Sequence, residues 1–278
     1  KGLGTAPKIA DRIATTVASS TAANIYGWLG AIPGMKEWIG EREIQKVSEN
    51  DYQIKNEKFE LTVGVKREAI EDDNYGVYTP YMEGMGESTG RHKEQRVAKA
   101  VKEGFKTACY DKKNFYSNNH KVGDEEYSNL TDAKLDPDSF QAARTAMMSI
   151  KNEAGVPLGI VPDVLLVPPA LEHTARMILE AEIVNGTSNI NKGLAEVVVW
   201  PELADEPTQW HLLCTRRSLK PFIFQERKKA KFTALTKDDD ENVFMRDEFL
   251  YGVDARDGVG YGFWQMAYGG TGTAESAG

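Results

Sequence analysis

A chain of 278 residues, 41% hydrophobic and 27% charged, can bury a substantial core and lies at the upper edge of a single domain, so one elaborated domain or two is expected. The net charge of −8 and a pI near 5.2 argue against a protein that grips nucleic acid by its phosphates, which takes clustered Lys and Arg. Two cysteines, Cys109 and Cys214, are too few for a disulfide framework and fit a reducing cytoplasm, and no run of about 18 apolar residues is present to span a membrane.

The segment up to Met35 is rich in Ala, Thr and Ser and carries Lys1, Lys8 and Arg12. Thr15, Thr16, Ser19, Ser20 and Thr21 interrupt its apolar residues, so a secretion signal is not expected there. The first residue is Lys rather than Met, which processing of the chain, its trimming, or a start upstream of this sequence would each explain.

From Trp38 to Asp73 the pattern predicts a long two-stranded arm. Phe59, Leu61, Val63 and Val65 alternate with Glu60, Thr62, Gly64 and Lys66, which puts one apolar row on one face of a strand. Tyr52 and Ile54 show the same alternation before the polar Lys55-Asn56-Glu57-Lys58, predicting a hairpin with a charged tip. A two-stranded ribbon is marginal alone, so its apolar row and unpaired edges call for a partner surface.

Helical signals begin near Ser88 and Thr89, good cap residues after Gly84-Met85-Gly86. Val97, Val101, Phe105 and Ala108 predict one long amphipathic helix, and a second is predicted over residues 138–152, burying Phe140, Ala143, Met147 and Ile150. Residues 163–167 read as a buried strand, followed by a helix opening at Pro168-Pro169 with Leu171, Ala175 and Ile178 inward. Strands are then predicted over residues 197–200, 211–215, 222–226 and 230–235. Phe249, Tyr251, Val253 and Ala255 alternate, Asp257-Gly258 predicts a hairpin turn, and residues 263–268 return. The tail from Gly269 onward is expected to be loose. Helices and strands mix without a repeating βαβ unit, so the fold class is α+β.

Residue types that carry catalysis or ligate metals do not fall into recognisable spacings. His92, His120, His173 and His211 are scattered with no HExxH arrangement, so neither a metal nor a cofactor is expected. Gly258, Gly260 and Gly262 have GxGxG spacing, but no helix follows to face a phosphate, and strand or hairpin glycines are the expectation. Asp238-Asp239-Asp240-Glu241 lacks the alternation and glycine of a calcium loop and reads as a solvated turn. Glu71, Asp72 and Asp73 read as a polar loop or helix start rather than a catalytic pair. Asn129 and Asn185 stand in glycosylation sequons, which matter only in a secreted protein.

A set of residues dispersed in one order over most of the chain carries a family resemblance. It comprises Tyr26-Gly27-Trp28-Leu29-Gly30, Ile32-Pro33-Gly34-Met35, Glu37-Trp38-Ile39-Gly40-Glu41-Arg42, Phe59 to Val65, and Ile70-Glu71-Asp72-Asp73. Further on stand Gly104-Phe105, Cys109-Tyr110-Asp111, Ser128-Asn129-Leu130, Pro157-Leu158-Gly159-Ile160 and Val167-Pro168-Pro169. In these the chain resembles the Mu-like phage major head subunits. The resemblance implies the Johnson fold of tailed-phage capsid proteins. An N-terminal arm would take residues 1–38 and an extended loop 39–66. A peripheral domain would take 67–124 and 220–257, with a spine helix over 88–109, and an axial domain with the tail would take 125–219 and 258–278.

It also implies a structural role and no enzyme. Copies would form pentamers and hexamers of an icosahedral head, a virion shell assembled in the bacterial host cytoplasm around double-stranded DNA and without a membrane. A scaffold, a head-maturation protease, a portal and a decoration protein would be its partners. The expected assembly surface is the loop, with Tyr52, Ile54, Lys55, Lys58, Phe59, Leu61, Val63 and Val65; Val97, Val101 and Phe105 would pack the spine helix. Some Johnson-fold shells are sealed by a lysine–asparagine isopeptide bond, and Lys55 and Lys58 lie where such a lysine could stand, but no asparagine or activating carboxylate matches a motif. A cellular nanocompartment shell and a soluble hydrolase are the alternatives; the first would need a cargo-peptide site and the second a pocket of convergent polar groups.

Overall fold

The structure, a computed structural model, describes residues 8–27, 29, 51–72, 76, 78–184 and 186–274. Its strands are β1 Ala14–Ala18, β2 Ala23–Ile25, β3 Gln53–Lys55, β4 Glu57–Lys66, β5 His120–Val122, β6 Glu125–Tyr127, β7 Leu130–Thr131 and β8 Val164–Val167. They continue with β9 Ile183–Val184, β10 Thr187–Ser188, β11 Glu196–Val199, β12 Trp210–Leu213, β13 Phe222–Leu235, β14 Glu248–Tyr261 and β15 Ala267–Gly270. The helices are α1 Ile9–Ile13, α2 Arg67–Glu71, α3 Tyr78–Glu103, α4 Pro137–Met148, α5 Glu172–Leu179 and α6 Glu241–Arg246.

Two larger sheets organise these elements. One has the order β1-β13-β14-β4, with β1 parallel to β13 and the other pairs antiparallel; the second has the order β11-β8-β12-β15-β7. In the second sheet β8 and β12 are buried along their whole length, as a central strand covered on both faces must be. Helix α4 starts where Asp136 accepts the Ser139 amide at 2.7 Å and the Ser139 hydroxyl accepts the Asp136 amide at 2.9 Å, a reciprocal cap. It buries Phe140, Ala143 and Met147. Helix α5 buries Ala175 and Ile178, with Leu171 half-buried just before it. The mixed α+β class is therefore what the chain adopts.

Helix α3 is longer than the cap signals predict. It begins at Tyr78, ten residues before Ser88, so Ser88 and Thr89 lie inside it. Pro80 sits in its first turn, where the missing N–H costs nothing. The Thr89 hydroxyl donates back to the Met85 carbonyl at 2.8 Å, satisfying within the helix the group that a cap would have used. Val97 and Val101 are fully buried, whereas Phe105 lies just beyond the helix end, half-buried and 4.6 Å from the Tyr116 ring.

Two predicted hairpins do not form. β3 pairs with β2, and β4 pairs with β14, so Lys55-Asn56-Glu57-Lys58 is a crossing between two sheets and not a charged tip. Asn56 explains why: its amide donates to the Ala22 carbonyl at 3.0 Å, its side chain donates to Ser19 Oγ and the Thr21 carbonyl, and it accepts from Gln225 Nε2 at 2.7 Å. The other half of the predicted arm, residues 39–50, lies outside the described residues. Likewise Asp257-Gly258 is no turn but the middle of the continuous strand β14, so the expected domain boundary at 257/258 falls inside a strand. Asp257 is held by His92 Nε2 at 2.7 Å and Arg96 Nε at 3.2 Å, both from α3.

Gly258 and Gly260 are there because β3 crosses them. A Cβ on Gly260 would stand 2.5 Å from Ile54 Cδ1, and one on Gly258 would stand 2.6 Å from the Lys55 carbonyl oxygen. Ile54 is accordingly buried, and Tyr52 accepts the Tyr261 amide at 2.8 Å. The tail is also tighter than expected, since Gly269 and Gly270 are buried strand residues of β15 beside Trp210 and Tyr116.

Candidate assembly surface

Strand β13 has two halves with different physics. Phe222, Ile223, Phe224 and Gln225 are buried, Glu226 is half-buried, and every residue from 227 to 235 is exposed. The strand thus leaves the core and continues as a ribbon with β14 and β4 alongside. Register places Leu61 opposite Val253 and Phe232 beyond it, with Val63 opposite Tyr251 and Ala234 beyond. These residues share one apolar face, the row that the period-two pattern of β4 predicts.

That face is only partly free. Val65 and Val253 are buried, Phe59, Leu61 and Val63 are half-buried, and the Phe59 ring lies 4.5 Å from His92 and 4.5 Å from the Arg96 guanidinium of α3. Of the loop residues expected at an interface, Tyr52 and Ile54 are therefore used inside the chain, while Lys55 and Lys58 are exposed. The larger open surfaces lie at the edges and the tip. β4 is an edge strand of its sheet, and β13 beyond Glu226 has no strand on its outer side among the described residues. At the tip, the short helix α6 presents Phe244 at 80% and Met245 at 69% exposure, with Leu235 and Phe232 also exposed. Sequence periodicity missed α6, since six residues are too few to establish a helical period. The acidic run before it forms the expected turn, with the Asp240 carbonyl receiving the Val243 and Phe244 amides and Asp238 pairing with Arg67 at 3.0 Å.

The base of the ribbon is fixed by buried polar groups. Gln225, with no exposure, accepts from the Tyr26 hydroxyl at 2.9 Å and donates to the Ile54 carbonyl at 3.1 Å and to Asn56. Helix α1 docks on α3 through Glu94, both of whose oxygens accept the Ala10 amide at 3.1 Å. Burial raises the Glu94 carboxyl to about 7, against the Ala10 hydrogen bond that favours the anion; Asp11 and Glu202 add to the rise and Lys93 opposes it. His211, fully buried between Phe105 and Tyr116, is pushed down by desolvation to about 3 and stays neutral. Asn129 is buried and fully engaged, donating to the Phe115, Trp264 and Ala267 carbonyls, so its sequon offers no acceptor.

One of the four histidines joins a cluster that the sequence does not announce. Cys109, Asp111 and His120 converge, with their ligand-type atoms within 4.8 Å of one another. The C-x-D step followed by a His nine residues later was the available signal, but it matches no standard ligand spacing.

A core strand extending into an exposed ribbon, a long helix across the sheet and a second sheet behind it define the fold of tailed-phage capsid proteins. The capsid of cyanophage P-SCSP1u has it at 10% identity, with a TM-score of 0.61 over 93% of this chain and 86% of that one. The procapsid of bacteriophage JBD30 is much nearer in sequence, 36% identical with a TM-score of 0.61 over 99% of this chain and 71% of that chain. The sequence profile of the family described as Mu-like prophage major head subunit gpT matches residues 1–134, 127–203 and 202–277. The Mu-like prophage FluMu major head subunit of Haemophilus influenzae is 36% identical over 267 residues, 96% of this chain and 67% of that protein. The major capsid protein of Escherichia phage Mu is 35% identical over 266 residues, with the same shares covered. The chain belongs to the Mu-like prophage major head subunit family, and it is a structural virion protein rather than an enzyme. Among the described residues no helix is long and apolar enough to cross a membrane.

Proposed function

We propose that copies of this chain assemble as pentamers and hexamers into a closed icosahedral head that encloses double-stranded phage DNA without reading its sequence. The observation that carries this reading is the ribbon of β13, β14 and β4, exposed on β13 from residue 227 to 235 and ending in the bare apolar tip of α6. Such a surface is marginal alone and gains burial against a neighbouring copy. A few hundred Å² of apolar area lost there gives several kcal/mol at about 25 cal/mol/Å², before ordering and association costs. Heterologous contacts repeated around rings of five and six close a shell from individually weak interfaces.

In this reading residues 1–38 are the N-terminal arm, 39–66 the extended loop, and α3 the spine of a peripheral domain that also contains β13, α6 and most of β14. The second sheet with α4 and α5 forms the axial domain. A scaffold and a maturation protease act during assembly, and a portal and a decoration protein complete the head. Negatively charged DNA inside an acidic shell of net charge −8 per chain stays free to be packed and ejected.

Negative-stain electron microscopy of the purified protein, alone and co-expressed with its scaffold, tests the proposal. Closed shells, or flat rings of five and six, are expected. A uniform field of small monomers persisting with scaffold present would overturn it.

A further inference from the structure

We propose that Cys109, Asp111 and His120 form a zinc site that staples the turn after α3 to the start of β5. Cys109 and Asp111 sit on one tight turn: the Cys109 amide donates to the Lys113 carbonyl at 2.8 Å, the Lys112 amide returns to the Cys109 carbonyl at 3.1 Å, and Lys112 adopts a left-handed φ of 64°. Asp111 is oriented by the Lys113 amide at 3.0 Å and stands 3.1 Å from Cys109 Sγ and 2.5 Å from His120 Nδ1. The Asp111 carboxylate thus turns Oδ1 toward Cys109 and Oδ2 toward His120, and the ligand-type atoms of the three residues lie within 4.8 Å of one another.

The surroundings of His120 orient it as a ligand. Its Nδ1 lies 2.5 Å from the Asp111 carboxylate and its Nε2 3.3 Å from the Phe115 carbonyl, so a neutral imidazole that gives Nδ1 to zinc in place of the Asp111 hydrogen bond keeps its one proton on Nε2, where the carbonyl accepts it. Trp264 stacks on the ring at 4.1 Å between centroids and 5° between planes, which fixes its plane. Sulfur with imidazole and one carboxylate favours zinc over the hard cations, which want oxygen alone. Thiolate and carboxylate together carry two negative charges, matching the ion. Ligand atoms around a tetrahedral zinc stand roughly 3.5 Å apart, so His120 and Asp111 open by about 1 Å to admit it, and Cys109 and Asp111 by about 0.4 Å. The side of Asp111 is partly exposed, and a water entering there completes four-coordination. Ligation breaks the S–H bond of Cys109 and releases that proton to solvent; no electron is transferred. Without the ion, burial and the adjacent Asp111 carboxylate push the Cys109 thiol up, and a divalent cation between them reverses that electrostatics.

The experiment uses the full chain, purified, stripped with a chelator and titrated with zinc, then with cobalt as a spectroscopic stand-in. About one zinc per chain is expected, released to a chelator, with one proton liberated per ion near neutral pH. Cobalt is expected to give a thiolate charge-transfer band that Cys109→Ser abolishes and Cys214→Ser leaves intact. Cys109→Ser keeps the turn and its hydrogen bonds, so loss of the band with unchanged circular dichroism separates ligation from misfolding. A chain that takes up neither ion, or a band that depends on Cys214 instead, would overturn the assignment.

Discussion

Replacing Glu94 by Gln should make the subunit more stable at pH 8 and remove a contribution to stability that is lost as pH rises. Glu94 is 3% exposed on α3, and its carboxylate holds the Ala10 amide of α1. Burial raises it from its usual 4.5 to about 7. The folded state therefore binds a proton over a range in which the unfolded chain has lost it, so stability falls as pH rises from about 4.5 to 7 and stays reduced above. The shift sets a ceiling of roughly 3 kcal/mol at 1.36 kcal/mol per pKa unit. Relaxation of the protein around a buried carboxyl reduces that to about 1–2 kcal/mol. Gln keeps an oxygen for the Ala10 amide and carries no charge. Urea unfolding of both proteins across pH 5 to 8 measures the difference. The midpoint of E94Q minus that of the wild type is expected to grow as pH rises from 5 to about 7 and to be positive at pH 8, the His211 contribution being common to both proteins. Equal slopes, or an E94Q protein weaker at every pH, would show that the hydrogen bond outweighs the burial of charge and refute the reasoning.

Three further outcomes follow from the same geometry. Phe244→Ser with Met245→Ser removes apolar surface that touches little of its own chain, so the melting temperature should hold within a degree or two while shell yield collapses; normal shells would remove the α6 tip from the assembly surface. Gly260→Val drives a side chain into Ile54 and Tyr52 and should cost about 1–3 kcal/mol in urea unfolding, partly restored by adding Ile54→Ala; an unchanged midpoint would deny that β3 crosses there. His211 has its folded pKa depressed from 6.5 to about 3, so the unfolded chain takes up its proton first and the stability present above 6.5 is lost as pH falls toward 3. His211→Phe should lessen that acid-side loss despite costing the Tyr116 hydroxyl its partner, and a pH profile like the wild type's would contradict a buried neutral imidazole.

Local pattern made some of this legible and not the rest. Val164–Val167 is a run of four apolar residues and became a buried strand, and Phe140, Ala143 and Met147 recur at helical spacing and became a buried helix face. Pairing was harder, because alternation states which face a strand buries but not which strand lies beside it. Tyr52 and Ile54 look like half of a hairpin with Phe59 to Val65, yet their partners are β2, about 30 residues earlier, and the glycines of β14, about 200 residues later. Asp257-Gly258 has turn chemistry, but a carboxylate held by His92 and Arg96 of α3 and a glycine crossed by Ile54 override a local preference. The Cys109, Asp111 and His120 cluster was illegible for a related reason, since Trp264, which fixes the histidine ring, comes from the far end of the chain.

The charge on the ribbon bears on how copies meet. Beyond Glu226 the open edge of β13 carries Arg227, Lys228, Lys229 and Lys231 in a chain whose net charge is −8. Lys228 is taken by Asp254 and Lys229 reaches Glu226 at 3.9 Å, so the edge remains basic. Register shifts between Glu226 and Lys228 and between Lys228 and Lys231 also break the regular ladder there. Two such edges cannot approach each other in two-fold fashion without bringing like charges together, and the bulges remove the flat template that edge-to-edge pairing needs. In the proposed shell such a basic edge would meet an acidic surface on a different face of the next copy. That contact would be heterologous, and heterologous contacts build closed rings where isologous ones stop at dimers. The lysines that would make little sense as stabilisers of a lone sheet thus favour the geometry that a shell requires.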